Sequence, residues 1–596
     1  MFDNIKKYFK KHWLAWMLAF FVALVYVGPQ LYFIATNYDI YQGIPLMENS
    51  NQDFYIARIQ EIIDGHLLVG SPAFFEYKDQ VPTQPPSSEL LFALPTLLLN
   101  IPVAVTLMAS KFILPFLLFL LVYTLIYNLL GKDNSWPKKI TAIAGAVFIT
   151  LGYDLVDYRT TIDFILGKLE PTTCLLWSRP MNPGMGAIYL FSFLLIIWTI
   201  VQKTKYLKSA IVGASFFLAL MFTSYFFSWG LAISIIAFLG LFYLLKKDFK
   251  AVKYFIYIVV LGILFSFPYW YLSWQAKKSI YYEESLLRSG MFYTHYPLFN
   301  KLLLAVIIVY IPILIFKFYK KIKLKNSDLF IWAFLLGGLW AYNQQVITGI
   351  TVWPFHFVQY TIPLSIIVLM IFLYNVIYKH FKKFFILLII VTLVSSVWIG
   401  IYTQYKNYIF NLERSRSDQL YADISEFFNS QEKDCVVLVS AEKYKFIEIS
   451  GMILSYTHCN VYMNTWVYSI MPQDRIYHNY LVNLRFLGIS SDEIDQAVND
   501  PASSTQIYLF SNWAGLYDET RFPDFTDPIL AERIKQVPND YREFLNNDLK
   551  SELDKYRLDF IMSNGPLSQD IQSQLDNIEF VKQFNNLYIY KYFQDR

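Results

Sequence analysis

A chain of 596 residues that is 56% hydrophobic, with a mean hydropathy of +0.36, is too apolar for a soluble enzyme and too long for one domain. The net charge of +4 excludes little, because in so apolar a chain the placement of charge says more than its sum. Three cysteines are too few for a disulfide framework or a thiolate metal site to define the fold.

Residues 1 to 12 are basic, and the apolar run from Trp13 to Ala35 has no small-residue cleavage pattern, so it reads as a retained first span. A spanning-length window predicts eleven helices, near 13–35, 102–130, 137–155, 183–202, 208–226, 229–245, 254–274, 302–316, 329–347, 352–378 and 384–402. Alternate connections collect the lysines: Lys6 to Lys11, Lys132 to Lys139, Lys203 to Lys208, Lys246 to Lys253, Lys317 to Lys325, and Lys379 to Lys383. The positive-inside rule makes these connections and the N-terminus cytoplasmic, and an odd number of spans carries residue 403 onward to the other side of the cell membrane. The opposite, external connections, 36–101, 156–182, 275–301 and 348–352, are rich in acids, aromatics and isolated arginines, which places any chemistry there. The spans hold almost no ionisable residue away from their ends, although Lys111 lies near the outer end of the second. Neither this pattern nor the lack of an internal repeat suits an ion-coupled transporter.

The first external connection carries "NQDFYIARIQEIIDGHLLVGSPAFFEYKDQ", residues 51 to 80. It predicts a helix beginning at Asp53 and ending at Gly65, with Asp53, Ala57, Gln60 and Asp64 on one face and Ile56, Ile59, Ile62 and Ile63 on another. Such a helix lies along the membrane with its isoleucines toward lipid or protein. By local sequence alone, Asp53 or Asn51 is equally readable as a simple helix cap.

The order of residues around and after Asp53 adds a second signal: Tyr55 two residues after the acid, Arg58, Gly65, then Glu76, Tyr77 and Lys78, "PTQPPSSELLFALP", and a second span. This order resembles the first external loop of the GT-C superfamily of integral-membrane glycosyltransferases, which includes oligosaccharyltransferases, protein mannosyltransferases and aminoarabinose transferases. The resemblance extends in topology over residues 1 to 402 and in motif over about 48 to 96. It implies a polyprenyl phosphate-linked sugar donor, a glycan, lipid or protein acceptor, and a loop acid, here Asp53, as catalytic base or acceptor-orienting group, with Tyr55 and Arg58 beside the substrate. Many members carry two adjacent acids; here Gln52 and Phe54 flank Asp53, and the nearest upstream acid is Glu48, so the motif does not support a bound divalent metal. The Trp-Trp-Asp acceptor motif of oligosaccharyltransferases is absent from the C-terminal region, and that activity is not implied.

Displacing a lipid phosphate from an anomeric carbon requires a base for the acceptor hydroxyl and cations for the leaving group. Arg179, in "LLWSRPMNPG" just outside the fourth span, is the first candidate cation, followed by Lys78 and Arg159; each is also readable as a headgroup-facing residue. "YYEESLLRSGMFYTHYP" offers Glu283, Glu284, Arg288 and His295, which read best as a solvated charged face. "AYNQQVITGITVWPFHF" places Asn343, Gln344, Gln345, Thr348 and His356 at an external turn, to bind sugar hydroxyls or to hydrogen-bond between helices. No histidine pair has zincin spacing, so no zinc is expected.

From residue 403 the composition is that of a soluble α/β domain, with strands expected at 435–439, 506–510, 558–562 and 578–592, the last a hairpin turning at Asn585 and Asn586. Cys435 and Cys459 each stand at the start of a strand; if those strands are parallel neighbours, the two cysteines come within disulfide range. The domain shows no phosphate loop or nucleophile elbow, which fits an accessory role. The sequence therefore predicts an α-helical polytopic membrane domain, 1–402, and a non-cytoplasmic α/β domain, 403–596. The expected activity is that of a membrane glycosyltransferase, with no nucleic-acid partner. The competing readings are a transporter or flippase of lipid-linked saccharides and a noncatalytic membrane scaffold.

Overall fold

The computed structural model describes residues 2–48, 52–131, 133–170, 173–203, 206–466, 468–499, 505, 509 and 528–594. Every expected span coincides with a helix: Phe2–Thr36, Val103–Leu129, Trp136–Leu151, Gly186–Val201, Leu207–Phe222, Phe226–Leu245, Phe249–Phe265, Lys301–Tyr319, Asn326–Asn343, Val358–Phe372 and Lys382–Ser417. Among the described residues seven helices are long and apolar enough to cross a membrane, or eight if Phe249–Phe265 and Phe267–Ala276, bent by 63°, form one broken span. This is a multi-pass membrane protein. Trp136–Leu151 and Leu207–Phe222 have 16 residues each, about 24 Å of helix, somewhat less than a full hydrocarbon thickness. Trp136–Leu151 gives up its expected last turn at Gly152, where the chain tightens into a short 3₁₀ segment, Tyr153–Val156.

Small residues let the central helices approach closely. Ala142, Ala144, Gly145 and Ala146 are buried, and a side chain at Gly145 would collide with Ile126 and Met370.

Three features of the segments expected to be external depart from the expectations. Ser87–Leu99 is a helix, with Leu90, Leu94, Leu97, Leu98 and Leu99 exposed and a proline, Pro95, inside it. The boundary expected at 402/403 falls within a continuous 36-residue helix: composition changes there, but backbone hydrogen bonding runs on to Ser417. The 275–301 connection is also not merely a solvated face. Met291–Tyr293 (β1) pairs antiparallel with Ile350–Val352 (β2), and Arg288 is fully buried, donating to Gln473 Oε1 at 3.0 Å and to the Met471 carbonyl at 2.8 Å.

The C-terminal domain is built on Val436–Ser440 (β3), Asn460–Val461 (β4), Phe560–Asn564 (β5), Ile578–Phe584 (β6) and Leu587–Tyr592 (β7), in the sheet order β4-β3-β5-β7-β6. β4 and β5 lie parallel to β3, and β6 and β7 form the hairpin expected at Asn585 and Asn586. The strand expected at 506–510 lies outside the described residues except for Leu509. Parallel pairing of Val436 with Asn460 sets Cys435 beside Cys459, with Cα atoms 4.5 Å apart, and the two form a disulfide.

The Gln52–Ile63 helix is held between this domain and the bundle. Ile56 and Ile59 are fully buried, the Val461 amide donates to the Ala73 carbonyl at 3.0 Å, and Lys78 pairs with Asp434 at 2.5 Å and Glu61 at 3.4 Å.

Candidate active site

The chain leaves the Tyr158–Ile165 helix and returns to the bundle through Trp177, whose indole N–H donates to the Ile149 carbonyl at 2.8 Å. Arg179 comes next, at the lip of the Pro180–Met185 turn, which is held by the Gly184 amide on the Arg179 carbonyl and by the Tyr360 hydroxyl on the Pro183 carbonyl. The half-buried Arg179 side chain faces a recess that it lines with Gln52, Tyr55, Leu107, Pro180 and Met181. Its Nε has no hydrogen-bond acceptor, and among the described residues no carboxylate pairs with it. Tyr55 is fixed there by Asn182 Nδ2, 3.2 Å from its hydroxyl, and the Arg179 charge reaches Tyr225 and His356, whose Nδ1 lies 3.3 Å from the Tyr225 hydroxyl. In this conformation the recess has about 10 Å³ of free volume, room for about one water molecule.

Two acids, Glu48 and Asp154, act electrostatically on Cys174, as Arg179 does. Glu48 pairs through Oε1 with Lys111 at 3.3 Å, both side chains being 1% exposed, while its Oε2 has no partner among the described residues. Asp154, at the end of the third expected span and in the 3₁₀ segment that follows the Trp136–Leu151 helix, has neither a side-chain hydrogen bond nor an ion pair among the described residues, and burial pushes its carboxyl up to about 6. Cys174 joins the two halves of the site electrostatically: the thiol is raised mainly by burial and also by Glu48 and Asp154, while Arg179 opposes the shift. A carboxyl raised toward neutrality can take a proton from a hydroxyl, and an unpaired guanidinium can hold a phosphate.

Asp53 is turned away from this recess. Its carboxylate packs against the Lys443–Tyr456 helix, so closely that a side-chain carbon at Gly451 would lie 2.5 Å from Oδ2. Ser455 Oγ donates to the Asp53 carbonyl at 3.0 Å, and Oδ1 accepts from the Phe54 amide at 2.9 Å. Burial pushes the carboxyl up to about 7, and the cation it feels is Arg414, not Arg179.

The other expected site residues divide between the recess and structural roles. Tyr55 and Arg179 line the recess, and His356 stands within reach of the Arg179 charge. Arg58 is buried against Glu89 at 2.6 Å, Lys78 is held by Asp434 and Glu61, and the exposed Arg159 pairs with Asp157 on its own short helix. Asn343 accepts from the Leu298 amide, Gln344 donates to the Ile350 carbonyl and Gln345 to the Tyr296 carbonyl, so these three fasten the turn to its neighbours. Glu48 and Lys111 stand out in the sequence without a role attached to them, and sequence reasoning misses Gln52, Asp154 and Cys174 as site residues. The available signals are a lone lysine near the end of one span and an acid at the end of the next. Cys435, His458 and Cys459 also lie within 4.8 Å of one another, but the two sulfurs are bonded together and do not act as thiolate ligands.

No family model and no curated protein matches the chain. Among solved structures, ArnT from Cupriavidus metallidurans in the apo state is similar at 10% identity and a TM-score of 0.43, covering 94% of this chain and 97% of that one. The archaeal oligosaccharyltransferase AglB from Archaeoglobus fulgidus, in complex with an inhibitory peptide and a dolichol-phosphate, is similar at 13% identity and a TM-score of 0.44, covering 93% and 70%. ArnT bound to undecaprenyl phosphate is similar at 10% identity and a TM-score of 0.38, covering 97% of each chain. Likeness at this level assigns no activity.

Proposed function

We propose that the chain is a membrane glycosyltransferase of the GT-C kind, which moves a sugar from a polyprenyl phosphate-linked donor to an acceptor on the face opposite the lysine-rich connections. The observation that carries this reading is Arg179. Of four loop cations, Arg58, Lys78 and Arg159 have carboxylate partners, while Arg179 has none among the described residues and faces a recess. A half-buried guanidinium without an acid is an anion site in waiting, and its fork matches two phosphate oxygens. The order of residues 48 to 96, with its likeness to GT-C first loops, supports the same assignment.

In this reading the base role expected of Asp53 passes to Asp154, which acts on Cys174 together with Glu48 and Arg179. The base takes the acceptor's proton, the acceptor oxygen bonds to the anomeric carbon, and the bond from that carbon to the phosphate oxygen breaks, leaving the phosphate charge against Arg179. Tyr55, Gln52 and His356 border the space for the sugar. The recess in this conformation is too narrow for a sugar, so donor entry requires the Pro180–Met185 turn and the Gln52–Ile63 helix to part.

The test is a transfer assay on purified protein with a radiolabelled polyprenyl phosphate sugar, following label lost from the lipid fraction. Asp154→Asn is expected to lower the rate on the order of 100-fold, and Arg159→Gln to leave it within about twofold. An Asp154→Asn protein as active as the parent would remove Asp154 from the mechanism.

A further inference from the structure

At the other end of the bundle three lysine-bearing connections meet. Val201, Gln202 and Lys203 end one helix, Tyr243, Lys246 and Asp248 come from the turn between two others, and Lys323 and Asn326 lead into a fourth; together they line a recess of about 380 Å³. Its floor is fixed: the Tyr243 hydroxyl donates to Asn326 Oδ1 at 2.9 Å, and Asn326 Nδ2 donates to the Val201 carbonyl at 3.3 Å. Its charge is unbalanced. Asp248 pairs with Lys203 at 2.9 Å, but Lys246 donates to the Leu324 carbonyl and Lys323 has no acid partner among the described residues. Burial and the Lys323 charge hold the Lys246 ammonium below its usual range, against the opposing pull of Asp328 and Asp248. Leu245 and Phe249, on either side of Lys246 and Asp248, are 73% and 64% exposed, so apolar surface adjoins the cationic turn.

We propose that this recess binds the phosphate headgroup of an anionic membrane lipid. Lysines at the ends of spanning helices stand at headgroup depth, and the exposed Leu245 and Phe249 offer acyl chains a surface that a free phosphate could not use. The site lies at the far end of the Gly186–Val201 helix from the Arg179 turn, and the proposal does not rest on the transfer reaction.

The probe is fluorescent phosphatidylglycerol titrated into the purified full chain in detergent, read by anisotropy, with phosphatidylcholine as control. The parent protein is expected to bind phosphatidylglycerol and not phosphatidylcholine. Lys246→Gln with Lys323→Gln is expected to weaken binding about 25-fold, roughly fivefold per lysine, and the matching arginine pair to stay near the parent. Thermal unfolding checks that the variants are folded. If the double variant is not, Lys323→Gln alone carries the test, since that side chain makes no hydrogen bond or ion pair among the described residues. Unchanged binding in the glutamine variants, equal binding of phosphatidylcholine, or displacement by millimolar inorganic phosphate would each overturn the assignment, the last by showing a soluble anion site.

Discussion

Asp53 and Gln52 are neighbours in one helix, yet Gln52 lines the recess while the Asp53 carboxylate is covered by Gly451. Successive helical residues point about 100° apart, and sequence order cannot say which of two neighbours meets the cavity. Tyr55, three residues from Gln52, shares its face and lines the recess with it, so the motif's helix meets the recess while its acid faces elsewhere. Asp53→Asn is therefore expected to keep transfer within about threefold of the parent, measured in the same assay. Asp154 makes a pH prediction. Its carboxyl is raised from 3.8 to about 6, so as a base it becomes competent as pH rises through about 6, and kcat/KM should climb over that range and then level. The sign for stability is opposite. A buried carboxyl raised in the fold binds its proton more tightly there than in the unfolded chain, so stability falls as pH rises from about 4 to about 6 and stays lower above. Denaturant titrations of Asp154→Asn should show a flatter slope in that window.

Strands, caps and turns carry their signals locally, and those are legible. The Asn585-Asn586 turn, the β3 and β5 runs and the bonded Cys435–Cys459 pair all stand where residue patterns put them. The Ser87–Leu99 helix is hidden because Pro95 interrupts its pattern, and the two-residue β4 is too short to announce itself. Docking of the external loop on the C-terminal domain is illegible, since it depends on pairs such as Lys78 with Asp434, 356 residues apart. That docking makes a testable contact. Gly451→Ala would push a methyl into the Asp53 carboxylate and is expected to cost about 1–3 kcal/mol, seen as a lower unfolding midpoint with unchanged secondary structure. The disulfide closes a separation of 24 residues, and reduction should cost about 3 kcal/mol in the C-terminal domain. Alkylation of denatured protein should modify one cysteine, Cys174, before reduction and three after it.

Across the whole molecule, two ends with different chemistry are separated by the bundle. One end gathers acids, Arg179 and a folded domain; the other gathers lysines around a recess. The lysine distribution predicts this polarity because insertion reads loop charge directly, whereas the site cannot be read so far, since its parts come from the 36–101 and 156–182 connections and from three spans. Maleimide labelling in oriented vesicles should reach Asp79→Cys and Asp576→Cys from one side and Lys320→Cys from the other. The central claim, that Arg179 receives the phosphate of a lipid-linked donor, is tested most directly by binding of polyprenyl phosphate to the purified protein. Saturable binding is expected, weakened on the order of tenfold or more by Arg179→Gln and unchanged by Arg159→Gln; equal binding by the parent and Arg179→Gln proteins would remove Arg179 from the phosphate site.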